Sequence, residues 1–333
     1  MRIGIFGAGL IGCHVGGMLA AAGEDVVLVG RPAMAERIAH GLTVSRYDGL
    51  TREVGPDRFV FSTEAAALAE RDMVFICVKG ADTERAGMAL AGVIGPKATV
   101  VSLQNGVSNA ERLRRALPRH RVLAAMVPFN VSLVGSNRFH CGSEGTIIVE
   151  AGGPAAAIAS RLTEAGMGAL TSDRIEPVLW AKLLMNLNNG VNALSGLPLK
   201  AQLSGRDYRL ALALCVAEAL TVLKAAGIRP ARIGKVWPPM IPFLLRLPDR
   251  LFAIAAAGML KIDDEARSSM AEDLAAGRPP EIDFLNGEIV RLGQKTGVPT
   301  PVNARMVELV TAAFAAGALP RLSGSELLAA LRG

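Results

Sequence analysis

Gly7, Gly9 and Gly12 stand at Gly-x-Gly-x-x-Gly spacing in the opening segment Arg2-Ile3-Gly4-Ile5-Phe6-Gly7-Ala8-Gly9-Leu10-Ile11-Gly12. Glycines so placed can cradle a pyrophosphate. Gly7 permits a tight turn, Gly9 lets the backbone approach phosphate oxygens, and Gly12 lets the following helix pack closely on the preceding strand. Ala8, Leu10 and Ile11 complete the turn, and the unpaired N–H groups of the helix start would face the phosphates. The spacing is weak on its own, but here it follows an apolar strand and opens an apolar helix over about residues 10–22. Gly23 and a second strand over 25–29 come next.

That second strand is followed by Gly30-Arg31. A free ribose 2′-hydroxyl would call for a carboxylate at this point, whereas a 2′-phosphate calls for a cation. Arg31 therefore favours NADPH, because a guanidinium can fork onto the phosphate or lie on the adenine face. The other reading is a solvated loop arginine.

Two further segments lie where strands of a doubly wound sheet should end, the edge that faces a bound dinucleotide. Val78-Lys79-Gly80 follows the apolar run 73–78, and Leu103-Gln104-Asn105-Gly106-Val107 follows 99–103. Read alone, Asn105-Gly106 is also an ordinary turn, since both residues tolerate positive φ. Lys79 alone is also an ordinary surface lysine.

The stretch Trp180 to Leu194 is chemically odd, with Lys182, Asn186, Asn188, Asn189 and Asn192 set among Leu, Met and Val. Burying such groups is unfavourable unless they find partners. Spacings of four and seven put Lys182, Asn186 and Asn189 on one stripe of a helix, with Asn192 off it unless the helix is distorted at Gly190. Burial lowers the pKa of an ammonium towards the range useful for proton transfer, so Lys182 is a candidate general acid. A helix–helix hydrogen-bond layer is the structural alternative. Towards the C-terminus, Ser268-Ser269-Met270 precedes Asp273, and Pro279-Pro280 leads into a helix whose first turn would carry Glu281 and Asp283. Acidic residues there also complement the helix dipole, which is a complete structural account of either one.

Positioning these residues takes two cores, which 333 residues at 51% hydrophobic content can form. Apolar runs at 3–6, 26–29, 73–78, 99–103, 122–126 and 146–149 alternate with helical or loop segments, as in a parallel sheet with crossover helices. A last helix over 155–165 and a last strand over 169–171 follow. Beyond Ser172-Asp173, long Ala/Leu-rich helical patterns dominate. The expectation is an α/β protein, with a Rossmann-type doubly wound sheet over 1–172 followed by an all-helical domain over 173–333.

A net charge of +6 with 4% aromatic residues suits anionic small molecules better than nucleic acid. The most membrane-like run, 251–260, is about half a spanning length. With a strand beginning at residue 2, no signal sequence is expected, and the chain reads as cytoplasmic. Cys13, Cys77, Cys141 and Cys215 lack metal-ligand spacing, so neither a metal site nor a disulfide framework is expected. Apolar helices over 210–223 and 251–260 could pair subunits as a homodimer.

Together these segments resemble the ketopantoate reductase (2-dehydropantoate 2-reductase) family over nearly the whole chain. The resemblance rests on Gly7 to Gly12, Arg31, Val78-Lys79, Leu103-Gln104-Asn105-Gly106, Trp180-x-Lys182-Leu183-x-x-Asn186, Ser268-Ser269-Met270 with Asp273, and Glu281-Ile282-Asp283-Phe284-Leu285-Asn286-Gly287. It implies NADPH-dependent reduction of 2-dehydropantoate to pantoate, a step towards pantothenate and coenzyme A. It also implies that Lys182 is the catalytic acid and that Glu281 helps to hold the substrate. Asn105 is placed where nicotinamide and substrate meet, Asn186 and Ser269 on the substrate, and Lys79 near the cofactor.

There is one departure. The family pattern has a second asparagine eight residues after the lysine, where this chain has Gly190. Asn192 could supply it two residues late, or Asn189 could substitute from the same face, and Gln202 is the nearest counterpart of a polar contact further downstream. The departure leaves room for a reductase of a different, bulkier 2-oxo acid. A non-catalytic NADPH-binding regulator would need the glycine turn but not Lys182, Asn105 and Glu281.

Overall fold

The computed structural model describes residues 1–232, 236–257, 265–317 and 320–333. They form two compact units, Met1–Ile175 and Glu176–Gly333.

The first unit contains twelve strands: β1 (Arg2–Phe6), β2 (Asp25–Val29), β3 (Leu42–Arg46), β4 (Thr51–Val54), β5 (Val60–Ser62), β6 (Met73–Ile76), β7 (Thr99–Ser102), β8 (Arg121–Met126), β9 (Val131–Val134), β10 (Arg138–Cys141), β11 (Ile147–Glu150) and β12 (Ala169–Ser172). Eight of them make one sheet in the order β12-β11-β8-β7-β6-β1-β2-β5. The six from β8 to β5 run parallel. The strand order reverses between β1 and β6, the switch point at which doubly wound sheets bind their ligands. The central strands read as continuous apolar runs because both faces are covered, and Ile3, Ile5, Leu28, Val74 and Phe75 are fully buried.

Two features depart from the alternation read in the sequence. β11 pairs antiparallel with β8, so the sheet is mixed at that end. The chain also forms a second sheet in the order β4-β3-β10-β9. Its strands were missed because they are only four or five residues long and carry charged or polar side chains, as in Thr51-Arg52-Glu53-Val54.

The second sheet explains why the helix Leu10–Ala21 is apolar all round, with every residue from Gly12 to Ala20 buried. A Cβ at Gly16 would lie 2.5 Å from the Leu28 side chain on β2, and one at Gly17 would lie 2.5 Å from Leu42 on β3. Between them, the two glycines let both sheets close onto one helix. His14 links the helix to β10, its Nδ1 lying 3.1 Å from the Phe139 carbonyl.

The second unit is built from helices around the twenty-residue helix Arg206–Ala225, whose Ala211, Ala213, Cys215, Val216, Ala219, Val222 and Leu223 are fully buried. Near its start, the buried Arg209 guanidinium has a partner for each of its five N–H groups. These are the carbonyls of Leu203, Ser204, Leu245 and Leu247 and the Asp249 carboxylate, the last at 2.6 Å. Glu218, from the same helix, accepts the backbone N–H groups of Val302 and Asn303 and so caps the helix Pro301–Ala315. The run 251–260 is described only in part, as the helix Asp249–Ala255, and residues 258–260 lie outside the described residues. Among the described residues, no helix is long and apolar enough to cross a membrane.

Candidate active site

Sheet register aligns the candidate residues of the first unit. Val29, Phe6, Ile76 and Ser102 occupy one row across β2, β1, β6 and β7. Gly9, Lys79 and Asn105 each lie three residues beyond that row, and Arg31 two residues beyond it. Four segments distant in sequence therefore share the carboxyl edge of the sheet.

The glycine turn has the shape a pyrophosphate needs. Gly7 has φ +105, and a Cβ there would lie 2.6 Å from the Val78 nitrogen on the loop after β6. At Gly12 a Cβ would lie 2.2 Å from the Gly7 carbonyl oxygen, so helix and turn can close only around a hydrogen. Gly9 is the opposite case, because a Cβ there would meet nothing within 4 Å. It is the N-cap of the helix Leu10–Ala21, which has no capping side chain. Open space lies over a helix start whose first N–H groups lack intrahelical acceptors, and an anion is the natural acceptor for them.

Arg31 opens the short helix Pro32–Arg37 and is exposed, and its guanidinium has no ion-pair partner among the described residues. Lys79 is half-buried at the N-cap of a 3-10 turn, Gly80–Asp82. Asn105 is half-buried, and Gly106 after it takes φ +99, a conformation that glycine adopts readily.

A set of buried polar side chains supports both loops. Ser102 Oγ donates to Gln104 Oε1 at 2.9 Å. Gln104 Nε2 donates to the Val78 carbonyl at 3.0 Å and to Thr83 Oγ1 at 2.7 Å. Thr83 Oγ1 donates to Asn109 Oδ1 at 3.0 Å, and Asn109 Nδ2 donates to the Asn105 carbonyl at 2.6 Å. Sequence reading gave no role to Ser102, Thr83 or Asn109, since isolated polar residues at strand and helix ends look like ordinary caps.

In the second unit, Lys182 and Asn186 share a face of the helix Ile175–Asn186 and are both half-buried. Desolvation lowers the Lys182 ammonium from 10.5 to about 8. The helix breaks at Leu187 and resumes as Asn188–Ser195, so the interruption falls three residues before Gly190. Asn189 is half-buried, and its side-chain amide makes no hydrogen bond among the described residues. Ser268 caps the helix Ser269–Ala275 by accepting the Ala271 N–H, and its hydroxyl donates to the Asn189 carbonyl at 3.4 Å. Ser269 is exposed in the first turn of that helix.

The profile described as "Ketopantoate reductase PanE/ApbA" matches residues 3–153, and "Ketopantoate reductase PanE/ApbA C terminal" matches residues 174–314. The chain belongs to the ketopantoate reductase family. The 2-dehydropantoate 2-reductase of Archaeoglobus fulgidus is 30% identical over 319 residues, covering 93% of this chain and 96% of that protein. The crystal structure of a PanE/ApbA family ketopantoate reductase from Ralstonia eutropha JMP134 is 32% identical, with a TM-score of 0.81 over 95% of this chain and 99% of that one. A ternary structure of D-mandelate dehydrogenase with NADH and anilino(oxo)acetate shares the fold, with a TM-score of 0.79, over 95% of this chain and 99% of that one, at 23% identity. The protein is thus an oxidoreductase of the ketopantoate reductase family.

Set against the family motif, three expectations need correction. Asn192, expected on the substrate, is fully buried. Its Nδ2 donates to the Leu197 carbonyl at 3.0 Å and its Oδ1 accepts the Ser268 N–H at 2.9 Å. With both ends of the amide engaged, Asn192 is a strut. Gln202 is likewise fully buried and accepts from Asn188 Nδ2 at 3.2 Å. Glu281 is half-buried and heads a 3-10 turn, Ile282–Phe284, rather than the first turn of an α-helix, which starts only at Asn286. That turn packs on the helix Asn188–Ser195 through Gly190, where a Cβ would lie 3.0 Å from Met306 Sδ and 3.4 Å from Ile282 Cδ1.

Proposed function

We propose that the protein reduces 2-dehydropantoate to pantoate with NADPH. The observation that carries this reading is Lys182, a lysine on the family's motif position whose ammonium is lowered to about 8 by burial. At neutral pH such a group is still protonated, yet it gives up its proton far more readily than a solvated lysine.

Gly7, Ala8, Gly9, Leu10, Ile11 and Gly12 would hold the pyrophosphate, Arg31 the 2′-phosphate, and Lys79 and Asn105 the part of the cofactor nearer the chemistry. Bound there, NADPH supplies the hydride. Reduction of a ketone places negative charge on its oxygen, and Lys182 stabilises that charge and then donates its proton. Asn105 orients the carbonyl, Asn186 and Ser269 fix the substrate carboxylate or hydroxyl, and Glu281 anchors the terminal hydroxyl. Asn189, with its amide half-buried and unengaged, takes the contact expected of Asn192. These groups act chiefly by alignment, which can contribute several kcal/mol to rate.

A steady-state assay with NADPH and a panel of 2-oxo acids tests the proposal. Turnover should be highest with 2-dehydropantoate, and absence of NADPH oxidation across the panel would refute it.

A second reading is a different 2-oxo acid. At Gly190 this chain lacks the amide of the family pattern, and Met306 and Ile282 fill the space a side chain would take, so the reading rests on a lost polar contact and not on added room. The fold is shared with D-mandelate dehydrogenase, and a shared fold does not determine substrate. An aromatic 2-oxo acid in the same panel separates the two readings. The proposal extends to a homodimer, supported by the exposed apolar Trp237, Phe243, Leu251 and Ile254 of the second unit, and sedimentation would give its stoichiometry.

A further inference from the structure

Two loops at the carboxyl edge of the sheet, those carrying Lys79 and Asn105, are tied together by side chains with no role in the proposed chemistry. Gln104, Thr83 and Asn109 are almost wholly buried, with relative exposures of 7%, 0% and 2%. Buried amides and hydroxyls are kept where their hydrogen bonds are complete, so the bonding pattern is informative.

Each link fixes the direction of the next. Ser102 donates to Gln104 Oε1, which makes Nε2 the donor end of that amide. The two Nε2 hydrogens then go to the Val78 carbonyl and to Thr83 Oγ1. Having accepted from Gln104, the Thr83 hydroxyl turns its own hydrogen to Asn109 Oδ1. Asn109 is thereby oriented with Nδ2 outward, and that group donates to the Asn105 carbonyl at 2.6 Å. Neither amide can flip without setting its oxygen against a backbone carbonyl, that of Val78 for Gln104 and that of Asn105 for Asn109. The chain starts beneath the Lys79 loop, at the carbonyl of Val78, and ends on the backbone of Asn105.

We infer that Thr83 and Asn109, with Gln104, are positioning residues for the reaction, setting the backbone of Asn105 and through it the amide that orients the substrate carbonyl. Thr83 is the pivot because only a hydroxyl can accept from Gln104 and donate to Asn109 at one atom. A small displacement of an orienting group is enough to depress turnover strongly. The inference rests on the proposed reduction of a 2-oxo acid, since it acts through Asn105.

The experiment compares Thr83→Val, Thr83→Ser and Asn109→Ala in the full-length protein. Valine keeps the shape of threonine and removes the hydroxyl, serine keeps the hydroxyl, and alanine at 109 cuts only the last link. If Thr83→Val is not recovered folded, Asn109→Ala carries the test. Thr83→Val and Asn109→Ala should each lower kcat about 10- to 100-fold while NADPH Kd changes less than about threefold, and Thr83→Ser should recover most of the loss. In an Asn105→Ala background the Thr83→Val loss should shrink to less than about threefold, because the group acted upon is gone.

Hydrogen exchange over residues 103–108 gives a readout without turnover and should quicken in Thr83→Val and Asn109→Ala but not in Thr83→Ser. Full additivity with Asn105→Ala, a loss confined to NADPH binding, or unchanged exchange would overturn the inference. If wild-type protein reduces no 2-oxo acid, the activity reading fails, and exchange still decides whether these residues fix Asn105.

Discussion

Asn192 is bonded to Ser268 across 76 residues of sequence, its Oδ1 accepting the Ser268 backbone N–H at 2.9 Å. The same side chain reaches the Leu197 carbonyl, so it ties the end of the helix Asn188–Ser195 to the start of Ser269–Ala275. Asn189, one turn earlier, contributes only its carbonyl to Ser268 and keeps its amide unengaged among the described residues. The two asparagines should therefore fail differently when removed. Asn192→Ala strands the buried Ser268 N–H and removes the contact to Leu197, and should cost about 1–3 kcal/mol in urea unfolding. Asn189→Ala should leave stability within about 0.5 kcal/mol and raise KM for the 2-oxo acid about tenfold, the loss of one uniform binding contact. A KM effect confined to Asn192→Ala would reverse the assignment.

As the proposed acid, Lys182 should link catalysis to stability with opposite signs. Its ammonium is lowered from 10.5 to about 8, so below about pH 8 the folded protein carries a charge it holds poorly. Between about 8 and 10.5 the folded group is neutral while the unfolded one is protonated, and stability rises with pH. Lys182→Met should therefore be more stable than wild type at pH 7, by up to about 3 kcal/mol, with the difference vanishing above pH 10.5. The same variant should lose turnover by orders of magnitude while binding NADPH normally. In wild type, kcat/KM should fall as pH rises through about 8, where the acid form disappears. Paired unfolding curves and pH–rate profiles check both signs.

Arg31 is exposed and free of ion pairs among the described residues, so its removal should not disturb the fold. Arg31→Ala should weaken NADPH binding by about 1.5–3 kcal/mol, the worth of a hydrogen bond to a charged group, and leave NADH almost unchanged. The ratio of kcat/KM for the two cofactors is the measurement, and a ratio equal to wild type would remove Arg31 from the site.

The sequence made the main sheet legible because its strands are buried on both faces, so Ile3, Val27, Phe75 and Val100 appear in unbroken apolar runs bounded by glycine or polar turns. β3, β4, β9 and β10 were hidden because the second sheet presents a single apolar face, and short strands such as Thr51–Val54 give too few alternations to register. Within the site, the legible residues were those whose chemistry is unusual for their setting, such as Lys182 in an apolar helix. Asn192 was misread for the same reason. A buried amide looks alike in sequence whether it faces a ligand or a carbonyl such as that of Leu197, and only the pairing tells them apart. Thr83 and Asn109 were missed because their meaning lies wholly in mutual contact across 26 residues.

Gly9 and Gly12 provide the cleanest separation of cofactor binding from folding. A methyl group at Gly12 would be driven to 2.2 Å from the Gly7 carbonyl oxygen, a backbone atom of a turn already held at φ +105. Helix and turn must part to relieve it, so Gly12→Ala should lower both stability, by about 1–3 kcal/mol, and cofactor affinity. At Gly9 the backbone lies at φ −95, which alanine adopts without strain, and a Cβ would meet nothing within 4 Å. Gly9→Ala should fold as wild type, with a melting temperature changed by no more than about 2 °C. Its methyl group would nevertheless stand where a pyrophosphate must approach the helix start, so NADPH Kd should rise at least about tenfold. Fluorescence titration of NADPH beside thermal melts distinguishes the two variants. If Gly9→Ala binds NADPH as wild type does, the open space over the helix start is not where the phosphates sit.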